Sequence, residues 1–208
     1  MLELAVNSFV VLFVVIDPIG MAPVFVGLTR GEPAAQRRRA ALNGTALAAA
    51  ILLVFFFVGD GLLRALGIGV PSFRIAGGLF LFLLALDMVF ARQSGLRSTT
   101  PGERREAEHR EDITVFPLAF PLVAGPGALT TVLLMASQEA GWAANGVMLA
   151  VMALVLALLL VSLLLAERMM ALLGETGANV ISRLLGLVLA ALAVQYVVDG
   201  VRAAFLDL

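Results

Sequence analysis

Cysteine and lysine are both absent from this chain of 208 residues, and histidine, tryptophan and tyrosine occur once each. Without cysteine there is no disulfide, no thiol nucleophile and no cysteine-based metal site, although nothing follows about the redox compartment. All 14 basic residues are arginine, and with 15 acidic ones they leave a net charge of −1. No basic patch is large enough to hold a nucleic acid, so that class of partner is excluded. Charged residues make up only 14% of the chain and hydrophobic ones 61%, against about 25% and 45–50% in an average soluble domain. A soluble chain this short cannot hide that much apolar surface. With a mean hydropathy of +1.03, the composition is that of an integral membrane protein. A cleavable signal peptide is not expected, because Met1-Leu2-Glu3 is acidic where a signal needs a basic start.

A membrane span needs about 20 apolar residues. Uncharged stretches run from Ala40 to Gly59, Ile113 to Gln138 and Ala140 to Ala166. Three more tolerate a polar interruption: Leu4 to Thr29 with Asp17, Ser72 to Ala91 with Arg74 and Asp87, and Val180 to Ala204 with Arg183, Asp199 and Arg202. The pattern predicts an all-α membrane protein of six transmembrane helices. Arg30, Arg37, Arg38, Arg39, Arg92, Arg97, Arg104, Arg105, Arg110, Arg168 and Arg183 fall on one side, and Arg64, Arg74 and Arg202 on the other. The excess of arginine marks the cytoplasmic side, which puts both termini outside a plasma (inner) membrane.

Sliding the chain against itself aligns its scarcest intramembrane residues. Pro18 falls on Pro126 at a shift of 108, Leu66-Gly67 on Leu173-Gly174 at 107, and Arg74-x-x-Gly77 on Arg183-x-x-Gly186 at 109. The expected organisation is a three-helix repeat over 1–91, a charged cytoplasmic loop over 92–112, and a second repeat over 113–208. An odd number of helices per repeat inverts the second one in the membrane, an architecture that recurs in transporters. The loop interleaves Glu103, Glu106, Glu108, Glu111 and Asp112 with arginine around Pro101-Gly102 and reads as a solvated linker, not a metal site. His109 lies in it, which excludes a histidine proton relay inside the membrane.

The first and fourth spans carry the chemistry. Asp17 lies 13 residues from Leu4 and 13 from Arg30, so it sits about 20 Å from each, near the midplane. Pro18 lacks an N–H and disfavours helical geometry at Asp17, so the helix breaks there. Asp17 as N-cap with Pro18 at the first helical position starts a second half-helix, and Gly20 permits close approach of another backbone. The fourth span repeats the design with Gly125-Pro126-Gly127, followed by the hydroxyls of Thr130 and Thr131. Unpaired N–H groups at such half-helix starts attract an anionic group. Broken backbone at that depth must be buried in protein or line a wet cavity. A charged aspartate at the bilayer centre costs about 2.5–3.5 kcal/mol on insertion scales, which makes it a functional hypothesis by default. Two roles fit Asp17: a coupling carboxylate for a proton, cation or solute ammonium, and a structural cap.

Other intramembrane polar groups have simpler readings. Asp87 is expected to reach the cytoplasmic interface, and Arg74 and Arg183 to anchor helix ends. Asn43, Gln195 and Asp199 either line a cavity or join helices by hydrogen bonds. Gly77-Gly78 and Gly186 suit close helix packing, and Trp142 and Tyr196 suit interface anchoring. The expected solute-binding set is Asp17, Pro18, Gly20, Gly125, Pro126, Gly127, Thr130, Thr131 and Gln195, with Asp17 also in the coupling role.

At these residues the chain resembles the MarC family of small inner-membrane proteins, in the wider lysine-exporter-like superfamily. The motifs that carry the resemblance are Asp17-Pro18-Ile19-Gly20-x-x-Pro23-x-Phe25, Arg74-Ile75-Ala76-Gly77-Gly78, and Phe116-Pro117-Leu118-Ala119-x-Pro121-x-x-Ala124-Gly125-Pro126-Gly127. They continue with Ile181-Ser182-Arg183-Leu184-x-Gly186 and Val194-Gln195-Tyr196-Val197-Val198-Asp199-Gly200. The resemblance implies six helices in the plasma membrane and a small neutral amino acid as transported solute. Many members carry Asn where this chain has Met21, which adds Met21 to the solute-binding set and turns the preference toward a more apolar molecule.

An enzyme is not expected. There is no His-Glu-x-x-His and no Gly-x-Ser-x-Gly, and Asp60 follows Phe57-Val58-Gly59 without the first glycine of an intramembrane aspartyl-protease motif. No nucleotide-binding loop is present and no cofactor is expected, so a carrier would draw on an ion gradient or on none. The competing readings are an exporter of another small metabolite and a non-transporting structural or regulatory membrane subunit.

Overall fold

Proline and glycine set the ends of the helices. In the computed structural model, which describes residues 1–90, 114–138 and 141–205, α1 (Leu2–Ile16) stops one residue before Pro18 and α2 (Pro18–Leu28) starts on it. α3 (Ala34–Ala65) follows Pro33 and closes at Gly67, whose φ of 68° lets Ile68 N–H reach the carbonyl of Leu63. That 6→1 bond occupies a carbonyl the helix end would otherwise leave unpaired. α4 (Val70–Phe90) completes the first half. The charged loop and His109 lie outside the described residues.

The second half opens with the irregular segment Thr114–Val123, in which Phe116 and Phe120 are extended and each precedes a proline. Extended backbone there is what a following proline favours. The helix α5 (Pro126–Gln138) is bent 58° from that segment. α6 (Trp142–Leu164) and α7 (Ala166–Phe205) follow. Gly174, at φ 66°, interrupts α7 near its start, which explains how 40 residues fit one element.

Among the described residues, taking α1 and α2 together, five helical stretches are long and apolar enough to cross a membrane, and six if the bent pair counts as one span. Large apolar side chains such as Val54, Phe57, Leu79, Leu83, Leu154, Leu184 and Leu187 are exposed along the helices. A surface of this kind is stable in lipid. The α1–α2 span is the most buried of the five, at 56% of its apolar window, and α7 the least, at 22%. The broken span thus runs through the centre. α1 packs on α6, and α2 on α6 and α7; Thr114–Val123 packs on α3, and α5 on α3 and α4.

α4 lies antiparallel along α7 over its whole length, and three glycines allow it. A Cβ on Gly78 would come within 2.8 Å of the Ala193 carbonyl, one on Gly186 within 2.8 Å of Met88 Cβ, and one on Gly200 within 2.9 Å of the Pro71 carbonyl. Small residues let backbones approach where lipid offers no hydrophobic drive to bring helices together. On the opposite face, the Arg37–Glu167 ion pair joins the starts of α3 and α7.

Two interface expectations change. Asp87 is buried, because it lies on the inward side of α4 with Leu84, one turn before it, and Met88, the next residue. Tyr196 packs against the apolar core between α7 and its neighbours, whereas Trp142, the first residue of α6, is 94% exposed.

Glycines with open space around them separate backbone from packing effects. Nothing lies within 4 Å of a Cβ on Gly146 in α6 or on Gly174. Gly146→Ala is therefore expected to be neutral or to stabilise by up to about 1 kcal/mol through helix propensity. Gly174→Ala is expected to destabilise by about 1–3 kcal/mol, because its backbone, φ 66° and ψ 173°, lies in a region essentially reserved for glycine. Equilibrium unfolding of the purified protein in mixed micelles checks the opposite signs.

Candidate functional site

The first break is built on one residue. Asp17 adopts φ 48°, ψ 67°, a left-handed conformation that aspartate tolerates better than most residues. Its N–H still donates to the Phe13 carbonyl at 2.9 Å, and its carbonyl accepts from Met21 N–H at 3.0 Å, so the kink leaves its own backbone satisfied. Oδ1 accepts from Gly20 N–H at 3.0 Å, the cap geometry expected of an aspartate before a Pro-initiated helix. Oδ2 accepts from the Ser182 hydroxyl of α7 at 3.0 Å. The carboxylate side chain is fully enclosed, at 0% exposure.

Two neighbours complete this break. The Ser162 hydroxyl of α6 donates to the Pro18 carbonyl. Gly20 is required by space: a Cβ there would overlap both the Asp17 carboxylate and the Ser182 hydroxyl. Met21 is buried beside it.

The second break has the same plan without the carboxylate. Gly125 stands in the cap position, where a Cβ would overlap the Pro121 carbonyl. Leu129 N–H makes the first helical bond, to the Gly125 carbonyl at 3.0 Å. Pro126 has no N–H, and those of Gly127 and Ala128 precede that first bond, as the leading amides of any helix do. These residues line a small, half-open cleft of about 20 Å³, room for a water molecule or two, together with Val15, Phe80, Leu84 and Pro121 to Val123. A Cβ on Gly127 would stand 3.5 Å from Val15 Cγ1, so the second break meets the first only two residues from Asp17. Thr130 turns its methyl toward Gly77, and Thr131 is buried with its hydroxyl unpartnered.

The fold therefore brings Asp17, Pro18, Gly20 and Met21 together at one break and Gly125, Pro126 and Gly127 at the other, with Thr130 and Thr131 one turn above. Gln195 is elsewhere. It is exposed and donates at 2.8 Å to Asp199 on its own helix. Thirteen residues separate it from Ser182, about 20 Å along α7. Its hydrogen bond therefore stays within α7 and joins no second helix, the role a hydrogen-bonding side chain in a span suggests. Ser182 and Ser162 are the residues that sequence reasoning missed. The available signal was a hydroxyl next to Arg183 in the repeated element, and a single serine inside the apolar run of α6.

Among the described residues no cluster of histidine, aspartate and glutamate is arranged to hold a metal ion. The arrangement offers one enclosed carboxylate at one break, close to the half-helix start at the other.

The sequence matches the family described as MarC family integral membrane protein over residues 2–205. The chain belongs to the MarC family. Among its MarC-like relatives is the UPF0056 membrane protein YvbG of Bacillus subtilis (strain 168), 34% identical over 209 residues, covering 99% of this chain and 97% of that protein. The UPF0056 membrane protein YhcE of Escherichia coli (strain K12) is 34% identical over 197 residues, covering 95% and 91%. The UPF0056 inner membrane protein YhgN of the same strain is 35% identical over 197 residues, covering 95% of each. No solved structure matches the chain. The family identity thus accounts for a multi-pass integral membrane protein, and the two breaks are where its polar chemistry is concentrated.

Proposed function

We propose that this MarC-family protein is a secondary transporter, not an enzyme, that carries a small neutral amino acid such as alanine or glycine across the inner membrane with both termini outside. Asp17 serves as the coupling carboxylate for protons. One observation carries the reading: a fully enclosed aspartate at a mid-span helix break, two residues from contact with a second break whose cleft is lined by the start of α5. Enclosed carboxylates inside a bundle are expensive and mark ion or substrate pathways. Paired breaks at mid-membrane, from two halves of inverted topology, are how many carriers build a central site. The packing pattern supports that reading, since the broken span of each half lies against the second and third helices of the other.

The competing reading, a structural or regulatory subunit, draws on the same carboxylate. Its bonds to Gly20 and Ser182 are those of a helix cap that pins α2 to α7. Uptake of labelled alanine and glycine into proteoliposomes, with and without an inward proton gradient, separates the two. Gradient-driven uptake by wild type that is lost in folded Asp17→Asn is the expected result. Equal uptake by both leaves transport standing and makes Asp17 a cap. No uptake by folded wild type overturns the proposal, in favour of an exporter of another metabolite or a subunit without transport.

A further inference from the structure

A second polar group lies about 20 Å from Asp17, at the far end of the α4–α7 seam. Arg74 is the fifth residue of α4, one turn inside it, half-buried between the points where α4 touches α7. Those points are Pro71 and Ile75 against Gly200, and Gly78 against Ala193 and Val197. Arg74 therefore faces the turn of α7 that carries Tyr196. Its guanidinium closes no ion pair with any described residue, and its buried Nε has no hydrogen-bond partner.

The opposite charge is close but not joined to it. Asp199 lies on the next turn of α7, and both Arg74 and Asp199 act electrostatically on the Tyr196 hydroxyl. Asp199 turns Oδ1 to its own helix neighbour Gln195, leaving Oδ2 for another donor. A cation and an anion thus both act on one phenol without closing an ion pair with each other. Two opposite charges this near a shared neighbour join unless packing prevents it, and here the glycine-locked seam fixes both backbones.

We infer that Arg74, Tyr196 and Asp199, with Gln195 orienting the last, form a recognition site for a small zwitterion at the outer end of the α4–α7 seam. Arg74 presents its fork of donors to the oxyanion, and Asp199 accepts from the ammonium. Tyr196 hydrogen-bonds between them. The group offers charges of both signs to one small solute, so it suits a free α-amino acid. A phosphoethanolamine lipid headgroup carries the same pair of charges. The inference rests on the transport reading for its substrate class, and the site would be the point of capture before the solute reaches the breaks.

Tyr196 is the only tyrosine in the chain, so 3-fluorotyrosine labelling gives a single ¹⁹F resonance inside the group. The protein is held in maltoside micelles, which contain no phosphate, and titrated at constant ionic strength with L-alanine, acetate and methylamine. The expected result is a saturable shift with L-alanine at lower concentration than with acetate. Arg74→Gln should remove both responses, whereas Asp199→Asn should bring alanine down to the level of acetate. In nanodiscs containing phosphatidylethanolamine, a resonance already shifted and no longer responsive to alanine assigns the site to the headgroup. A resonance that responds as in micelles assigns it to the free amino acid. No shift with any probe in folded wild type overturns the inference, and that result does not require either variant to fold. Alanine binding here without uptake into proteoliposomes would leave the site standing and overturn transport. Uptake without a resonance shift would do the reverse.

Discussion

Gly20→Ala is expected to be among the most damaging single-atom additions at the described residues, lowering stability by about 3–5 kcal/mol. The added Cβ would overlap the Asp17 carboxylate and the Ser182 hydroxyl at once. Overpacking a filled interior costs about 1–3 kcal/mol, and losing a hydrogen bond to a charged group costs about 1.5–3 kcal/mol more. Neither group can yield cheaply. The carboxylate is fixed by the left-handed Asp17 backbone and its bond to Gly20 N–H, and the serine belongs to the α7 turn locked against α4. Ser182→Ala removes one hydrogen bond but leaves room, so its cost should stay near the lower figure. Because one of the two overlaps is with the hydroxyl itself, Gly20→Ala combined with Ser182→Ala should cost less than the sum of the separate changes. Unfolding of the four proteins in mixed micelles gives that cycle directly. Wild-type stability in Gly20→Ala would sink this description of the first break.

The second large effect is at the α4–α7 seam. Gly78→Ala, Gly186→Ala and Gly200→Ala each place a Cβ within about 3 Å of atoms on the facing helix, and at Gly78 and Gly200 these include a backbone carbonyl that cannot swing aside. Each change should cost about 1–3 kcal/mol. Gly186 and Gly200 lie 14 residues apart on α7, far enough for their effects to add, whereas Gly78 meets Val197, three residues from Gly200, close enough for that pair to couple. The triple variant should then lose about 3–9 kcal/mol of a total near 5–15 kcal/mol, and much of it should fail to elute as a monodisperse protein after extraction. Gly44→Ala is the contrast. Its nearest neighbour is the flexible end of Leu118 at 2.5 Å, so a rotamer change absorbs much of the strain. A triple variant that behaves like Gly44→Ala would show that the seam tolerates separation.

Much of this architecture was legible in the sequence because the relevant signals are local. Spans follow from runs of apolar residues, and the break at Asp17 follows from a proline that cannot continue the helix before it. The match of Pro18 to Pro126 likewise pointed to a second break at Gly125-Pro126-Gly127. The glycine pair at 77–78 and Gly186 marked close packing, since few other reasons place glycine inside a span. Asp87 misled because distance along the chain to an arginine says nothing about which face of α4 it occupies.

Sequence alone thus determined the class of molecule, the number of candidate spans, the two helix breaks and the capping role of Asp17, because each depends on residues within one or two turns of each other. Tertiary structure decided everything that required knowing which helix lies against which. It brought Ser162 and Ser182 to the first break from positions 144 and 165 residues away. It turned Gln195 toward Asp199 and away from the breaks, and it set Arg74 opposite Tyr196 across a seam that only glycine permits. Hydroxyls and guanidinium groups carry no periodic signal of their own. Their partners are chosen by helix packing, and packing is a property of the assembled bundle.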